Sequence, residues 1–288
     1  MRILNIGHVL IDENTSEKAS YTSAGGVPIF MNKIYKKLPD ADYTIVSQYG
    51  KDFESYRNDL HLYPTNPTLE HTPRYVNVSS HGARTQKAFY RDGVLPVDIG
   101  GALEDLIKDA DMIITSPLFP TFSPDYLKKV FGKARPECLK ILLPQGYYRN
   151  FDDNDNVIKR TFIEANDVSH LFNFVILSEE DGDHIDKDVR QWATQSKTMF
   201  VITRGKKGCS VVSSNISINI PVNPLEESKI VDSVGSGDIF AASFSYKYAL
   251  THDLLQSGKF ANAVARECLL YTPDQLDNVE LESLKTLK

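Results

Sequence analysis

Cysteine is scarce in this chain and never paired. Cys138, Cys209 and Cys268 are its only three, isolated and without a CxxC, so neither a disulfide framework nor a structural zinc site is available. They read as small core residues in a reducing compartment. The 7 histidines form no HxxxH or HExxH pair. The nearest approach to a calcium loop, Asp153-Asn154-Asp155, lacks the glycine and the later oxygen ligands such a loop needs and reads as a solvated turn. Long apolar runs are missing as well: nothing approaches the roughly 18 residues that span a bilayer. The opening MRILNIGHVLID alternates like a strand, unlike a targeting segment with a basic stretch and an apolar block. The expectation is a soluble cytoplasmic protein with no membrane partner. Positive charge is scattered and the net charge is −6, which argues against nucleic acid as a partner. No GxxxxGK[ST] and no GxSxG occur, excluding a P-loop and a hydrolase elbow.

What is present suits one large globular domain. Of 288 residues, 41% are hydrophobic, enough for a sizeable core. Six β-rich runs, RILNIGHV, DYTIVSQ, DMIITSP, LKILLPQ, FNFVILS and TMFVITRG, are spaced by amphipathic helical stretches. That spacing predicts an α/β fold with a mainly parallel sheet covered on both faces, and ligands beyond the carboxyl ends of its strands. Residues 74–91 read as a hairpin about a Ser-His-Gly turn, a candidate lid. Residues 201–220 leave no room for a helix between strands, implying antiparallel pairing at one side. From Gly237 the chain is expected to be helical nearly to its end. No linker separates independent domains, so residues 1–288 are expected to form a single domain with a small flap.

The most informative stretch is DSVGSGDIFAASF, Asp232 to Phe244. Two glycines at a helix start let unpaired N–H groups and the positive end of the helix dipole approach an anion. Ser236 or Asp238 acting as an ordinary cap explains the same residues. Beside a phosphate, Asp238 is expected to be a weakened base, its acidity increased by the helix end. A weak base suffices where phosphoryl transfer is mainly positioning.

DSVGSGD resembles the D-T-x-G-A-G-D signature of the ribokinase (PfkB) family of carbohydrate and nucleoside kinases. Seven further landmarks follow the family's order: GHVLID, GGVPIF, QYGKD, PQGYYR, SEED, TRGKKG and FANAVA. The resemblance implies a ribokinase-like α/β fold with a reduced β lid, and transfer of the γ-phosphoryl group of ATP to a hydroxyl of a small sugar, polyol or nucleoside. Asp238 would be the general base, and the amides of Gly235, Ser236 and Gly237 would hold developing charge. Asp12, Gly25 and Gly26 occupy positions that contact acceptor hydroxyls. Thr203 and Gly205 match a turn beside the nucleotide, Asn262 a position against the adenine. Ser178 and Asp181 stand where the family's N-x-x-E organises Mg2+, here as S-x-x-D. Asp232 aligns with a residue that helps hold a monovalent cation in some relatives, making K+ a further candidate.

Other departures shape expectations. Leu143 replaces a polar residue before Pro144-Gln145-Gly146. About a dozen residues between Asp12 and Gly25 are expected to be too few for extra lid strands. Phe30 stands where ribokinases usually place Asn and suggests a different substrate environment. Tyr147, Tyr148 and Arg149 are candidates to stack on or clamp a ligand, although aromatics at a strand end more often pack in the core or rim. A catalytically silent sugar or nucleotide sensor on the same fold, or a kinase for a vitamin-like heteroaromatic alcohol, remain alternatives. The oligomeric state is open, a homodimer included.

Overall fold

The computed structural model describes residues 1–16, 20–80 and 83–285. Strands β1 (Arg2–Gly7), β2 (Leu10–Ser16) and β3 (Ser20–Gly25) lead to helix α1 (Val27–Tyr35). Next come β4 (Asp42–Val46), β5 (Leu62–Tyr63), β6 (Arg74–Ser80) and β7 (Ala83–Phe89). Then α2 (Gly101–Asp109), β8 (Met112–Ser116), α3 (Pro124–Lys133) and β9 (Leu139–Leu142) alternate. A hairpin of β10 (Arg149–Phe151) and β11 (Val157–Lys159) precedes α4 (Ala165–Val168), β12 (Phe174–Ser178), α5 (Ile185–Gln195) and β13 (Met199–Thr203). The chain closes with β14 (Cys209–Val212), β15 (Ser217–Ile220), α6 (Ser236–Thr251), α7 (Leu254–Cys268) and α8 (Glu282–Lys285).

Nine strands form the central sheet in the order β15-β14-β13-β12-β9-β8-β1-β4-β5. It is parallel from β13 to β5, and β14 and β15 add antiparallel pairs at one edge. All six runs read as strands in the sequence are in the parallel part. Side chains alternate along each strand between two apolar cores. Ile3, Ile114, Phe174 and Val201 face the core shared with α1, α6 and α7. Leu4, Ile113, Val175 and Ile202 face the core shared with α2, α3 and α5. Helix α6 has no polar face over its first turns: Ile239 to Tyr246 are all buried, as expected of a helix enclosed on every side. Its two buried serines satisfy themselves, Ser243 and Ser245 donating to the carbonyls of Ile239 and Ala241. The three cysteines are free and buried.

A second sheet, β3-β2-β6-β7, makes a four-stranded lid. The segment between Asp12 and Gly25 therefore does add strands. Strand β2 already begins at Leu10, and β2 and β3 pair from Leu10 with Gly25 to Thr15 with Ser20. A hairpin loop needs only about two to five residues, so a dozen suffices. Strands β6 and β7 pair antiparallel from Arg74 with Phe89. The His81-Gly82 part of the expected turn lies outside the described residues, as do residues 17–19. The lid edge reaches the β10–β11 hairpin through a bridge between Lys87 and Asn156 and an Arg91–Asp155 ion pair.

Candidate active site

Strands β12 and β13 end side by side at Ser178 and Thr203, and α6 starts against the same edge. Between them lies a cavity of about 80 Å³ lined by residues including Gln145, Ser178, Asp181, Thr203, Gly237 and Asp238. It has room for a few waters. Gly235 precedes α6 at φ 75°, ψ 1°, a left-handed conformation that a β-carbon disfavours. That turn aims the first amides of the helix outward. Ser236 N–H donates to the Ser233 carbonyl at 3.2 Å, so it is not one of the free donors the sequence suggested. Among the described residues the amides of Gly235, Gly237 and Asp238 have no hydrogen-bond partner. Nothing lies within 4 Å of where a Gly237 β-carbon would be, which leaves an anion a clear approach.

Asp238 differs from the weakened base expected from the helix dipole. Burial dominates, Arg149 opposes it, and the carboxylates of Asp181 and Asp12 reinforce it, so the Asp238 pKa is pushed up to about 7. Removing a carboxylate from water costs more than a helix terminus returns. The result is a base matched to neutral pH.

Asp181 shares the cavity. Its carboxylate folds back to accept the Ser178 N–H at 2.8 Å, and Ser178 Oγ accepts from the Glu180 amide. The S-x-x-D motif is thus a tight turn at the strand end, separate from α5, which starts only at Ile185. Burial raises the Asp181 pKa although Ser178, Arg149 and Lys159 pull the other way. A carboxylate left short of positive charge in a cavity is suited to a cation, which fits the Mg2+ the motif implies. Among the described residues no group of three metal-ligating side chains forms, so such an ion would keep part of its water shell, as Mg2+ commonly does.

The remaining residues are dispersed around this centre. Asp12 is buried on the lid, accepting from Asn77 at 3.2 Å. Gly25 lies so close that a β-carbon there would meet Asp12 Oδ2 at 1.9 Å. Gly26 starts α1 at φ 94°, its missing side chain making way for the His8 carbonyl. Gly205 turns at φ 51° with open space beside it, while the neighbouring Arg204 is held by Glu179, Asp186 and Ser210. Asn262 is placed differently from the adenine contact expected of it. It is buried and donates to the Ile220 carbonyl at 2.9 Å, fastening α7 to the sheet edge. Asp232 accepts the Val234 N–H at 2.8 Å within its own loop.

Tyr147 and Tyr148 are core residues rather than ligand clamps. Tyr147 stacks on Phe162 with 4.7 Å between ring centroids, and Tyr148 packs edge-on to the same ring. Arg149 alone of that trio faces the carboxylates. It donates to the Tyr75 hydroxyl at 3.0 Å, with its guanidinium 5.1 Å from the centre of that ring. Its charge acts on Asp238 and Asp181 together. Sequence pattern had offered it only as one of three adjacent candidates. Leu143 and Gln145 also line the cavity; the sequence marked Leu143 as a departure and quoted Gln145 in its turn, without giving either a role.

Comparison with known proteins agrees with this geometry. The family model described as pfkB family carbohydrate kinase matches residues 21–280. The chain belongs to that family. Its members are phosphotransferases with an alcohol group as acceptor, and the fold here is ribokinase-like. Among solved structures, a pyrophosphate-dependent kinase in the ribokinase family is similar with a TM-score of 0.73 and 15% identity, over 96% of this chain and 100% of that one. A ribokinase from Arabidopsis thaliana, solved with ribose and ATP, has a TM-score of 0.70 at 15% identity, over 96% and 99% of the two chains. An uncharacterised sugar kinase from Archaeoglobus fulgidus is 33% identical over 72 residues. That match spans 25% of this chain and 27% of the relative's length. No helix among the described residues is long and apolar enough to cross a membrane.

Proposed function

We propose that this protein transfers the terminal phosphoryl group of ATP to a hydroxyl of a small sugar, polyol or nucleoside. The observation that carries the reading is the position of Asp238: a carboxylate with pKa about 7 at the mouth of α6, beside three open amides. Asp238 takes the proton as the acceptor oxygen attacks phosphorus. The amides of Gly235, Gly237 and Asp238 donate hydrogen bonds to the oxygens of the migrating group, on which charge is developing. Arg149 adds a positive charge from the lid side. Asp12 orients the acceptor, with Gly25 leaving room for its carboxylate and Gly26 turning the chain into α1. Thr203, Gly205 and Ser178 border the donor, and Asp181 holds Mg2+, whose charge when bound offsets that of the donor's phosphates. Asp232 is the residue through which K+ would act.

A second donor has support from three solved structures of the same fold described as pyrophosphate-dependent kinases. In a test of both donors, ATP or pyrophosphate is supplied with a panel of pentoses, hexoses, inositols, nucleosides and pyridine alcohols, and phosphorylated product is measured. Product with ATP and a polyhydric acceptor is expected. Turnover on pyridine or pyrimidine alcohols alone would point to the heteroaromatic class, and binding without any product to a sensor. An ionisable Asp238 facing a cavity weighs against the sensor.

A further inference from the structure

The inner face of the lid carries a row of side chains beyond Asp12. Parallel pairing sets Asn14 on β2 beside Asn77 on β6, and antiparallel pairing sets Gln86 on β7 at the other side of Asn77. Residues two apart on a strand share a face, so Asp12, Asn14, Tyr75, Asn77 and Gln86 look the same way. The contact of Tyr75 with Arg149 identifies this as the face turned to the reaction centre. Asn77 is 4% exposed. Its amide group donates to Asp12 Oδ1 at 3.2 Å and to Asn14 Oδ1 at 3.0 Å, and its oxygen accepts from Gln86 Nε2 at 2.7 Å.

These bonds run in one direction, from Gln86 through Asn77 to the Asp12 carboxylate. Each donor polarises the next, and Asp12 is fixed by one oxygen while the other, Oδ2, lies against Gly25. Asn14 Nδ2 and Gln86 Oε1 have no partner among the described residues. The row therefore still offers a donor and an acceptor. A hydroxyl both donates and accepts, so adjacent hydroxyls can satisfy such a row, whereas a flat heteroaromatic ring would leave it unpaired.

We propose that Asn77 is the specificity-determining residue of the acceptor site: it positions the Asp12 carboxylate and, with Asn14 and Gln86, selects among neutral polyols by the arrangement of their hydroxyls. This rests on the kinase reading only for the word acceptor, because binding alone reports it. The test uses Asn77→Leu and Asn77→Ser, with calorimetric titration of stereoisomeric polyols and, where product forms, acceptor and donor KM. Asn77→Leu is expected to weaken the preferred polyol by about tenfold or more and to change the order of preference among isomers. Donor KM should stay within about twofold, and Asn77→Ser should keep part of the discrimination. If Asn77→Leu fails to fold, the part-exposed Gln86→Leu removes the donor that orients Asn77 and is expected to move the same ratio less. Equal weakening of every polyol with the order kept would make Asn77 merely structural and overturn the proposal, as would a parent that binds none of them. Polyol binding that depends on Asn77, in a protein that forms no product, would refute the kinase reading and leave this inference standing.

Discussion

The ring of Phe30 occupies the space that a side chain on Gly235 would need: a β-carbon built there meets Phe30 Cδ1 at 2.1 Å. Helix α1 thus supports the loop before α6 from below, and the residue that differs from the ribokinase pattern packs beneath the amide cradle. Gly235→Ala combines this clash with an unfavourable left-handed backbone. It is expected to destabilise the protein by more than about 1 kcal/mol in urea unfolding and to lower turnover. Wild-type stability together with full turnover would show that the cradle tolerates rearrangement.

Asp238 sets the pH dependence. Acting as a base it must be ionised, so kcat/KM is expected to rise with pH along a limb centred near 7 and then level off. Asp238→Asn should lower kcat by at least about 10²-fold and abolish that limb. Stability runs the other way. The folded pKa stands above the ~3.9 of an unfolded aspartate. Burial of the neutral acid therefore stabilises the fold below pH ~4, and that contribution is lost as pH rises through 7. Relative to the parent, Asp238→Asn should melt at a higher temperature at pH 8 than at pH 5.

Arg149 and Asp181 should move the limb in opposite directions. Arg149 lowers the pKa of Asp238 and Asp181 raises it. Arg149→Met is expected to shift the limb to higher pH and cut turnover by about 10²-fold, with Arg149→Lys restoring the position of the limb. Asp181→Asn is expected to shift it to lower pH. A limb unmoved in both variants would place these charges too far from Asp238 to matter.

Asp181 also answers for the metal. Asp181→Asn should raise the Mg2+ concentration needed for half-maximal activity by about ten- to a hundredfold. Binding of Mg2+ to the protein with donor analogue, followed by calorimetry, should weaken in parallel. An unchanged requirement would assign the ion to other ligands.

Much of the fold was legible because its signals are local. Six of the seven parallel strands, the antiparallel edge and the late helices follow from apolar runs and their spacing, and the two-residue β5 does not. The lid was half legible: residues 74–91 stood out, whereas β2 and β3 are largely polar strands that show no apolar run. In the site, Asp238, Asp181 and Thr203 were visible through motif spacing and do line one cavity. The ionisation of Asp238 was not, since it follows from burial and from charges remote in sequence. Asn262 shows the converse failure, a residue of the right type whose amide holds two elements together. Asn77 carries no motif; only strand register brings it beside Asp12.

Arg149 opens a strand whose partner, β11, adjoins the outermost strand of the lid through the Asn156–Lys87 bridge, while its guanidinium holds Tyr75 on β6. Raising the lid would therefore draw this cation away from the carboxylates. Water would then reach Asp238, and the Asp12 carboxylate would leave with the same sheet, so influences of both signs on that acid depart together. The proton affinity that suits Asp238 to neutral pH thus belongs to the covered cleft, which confines proton removal to the closed arrangement.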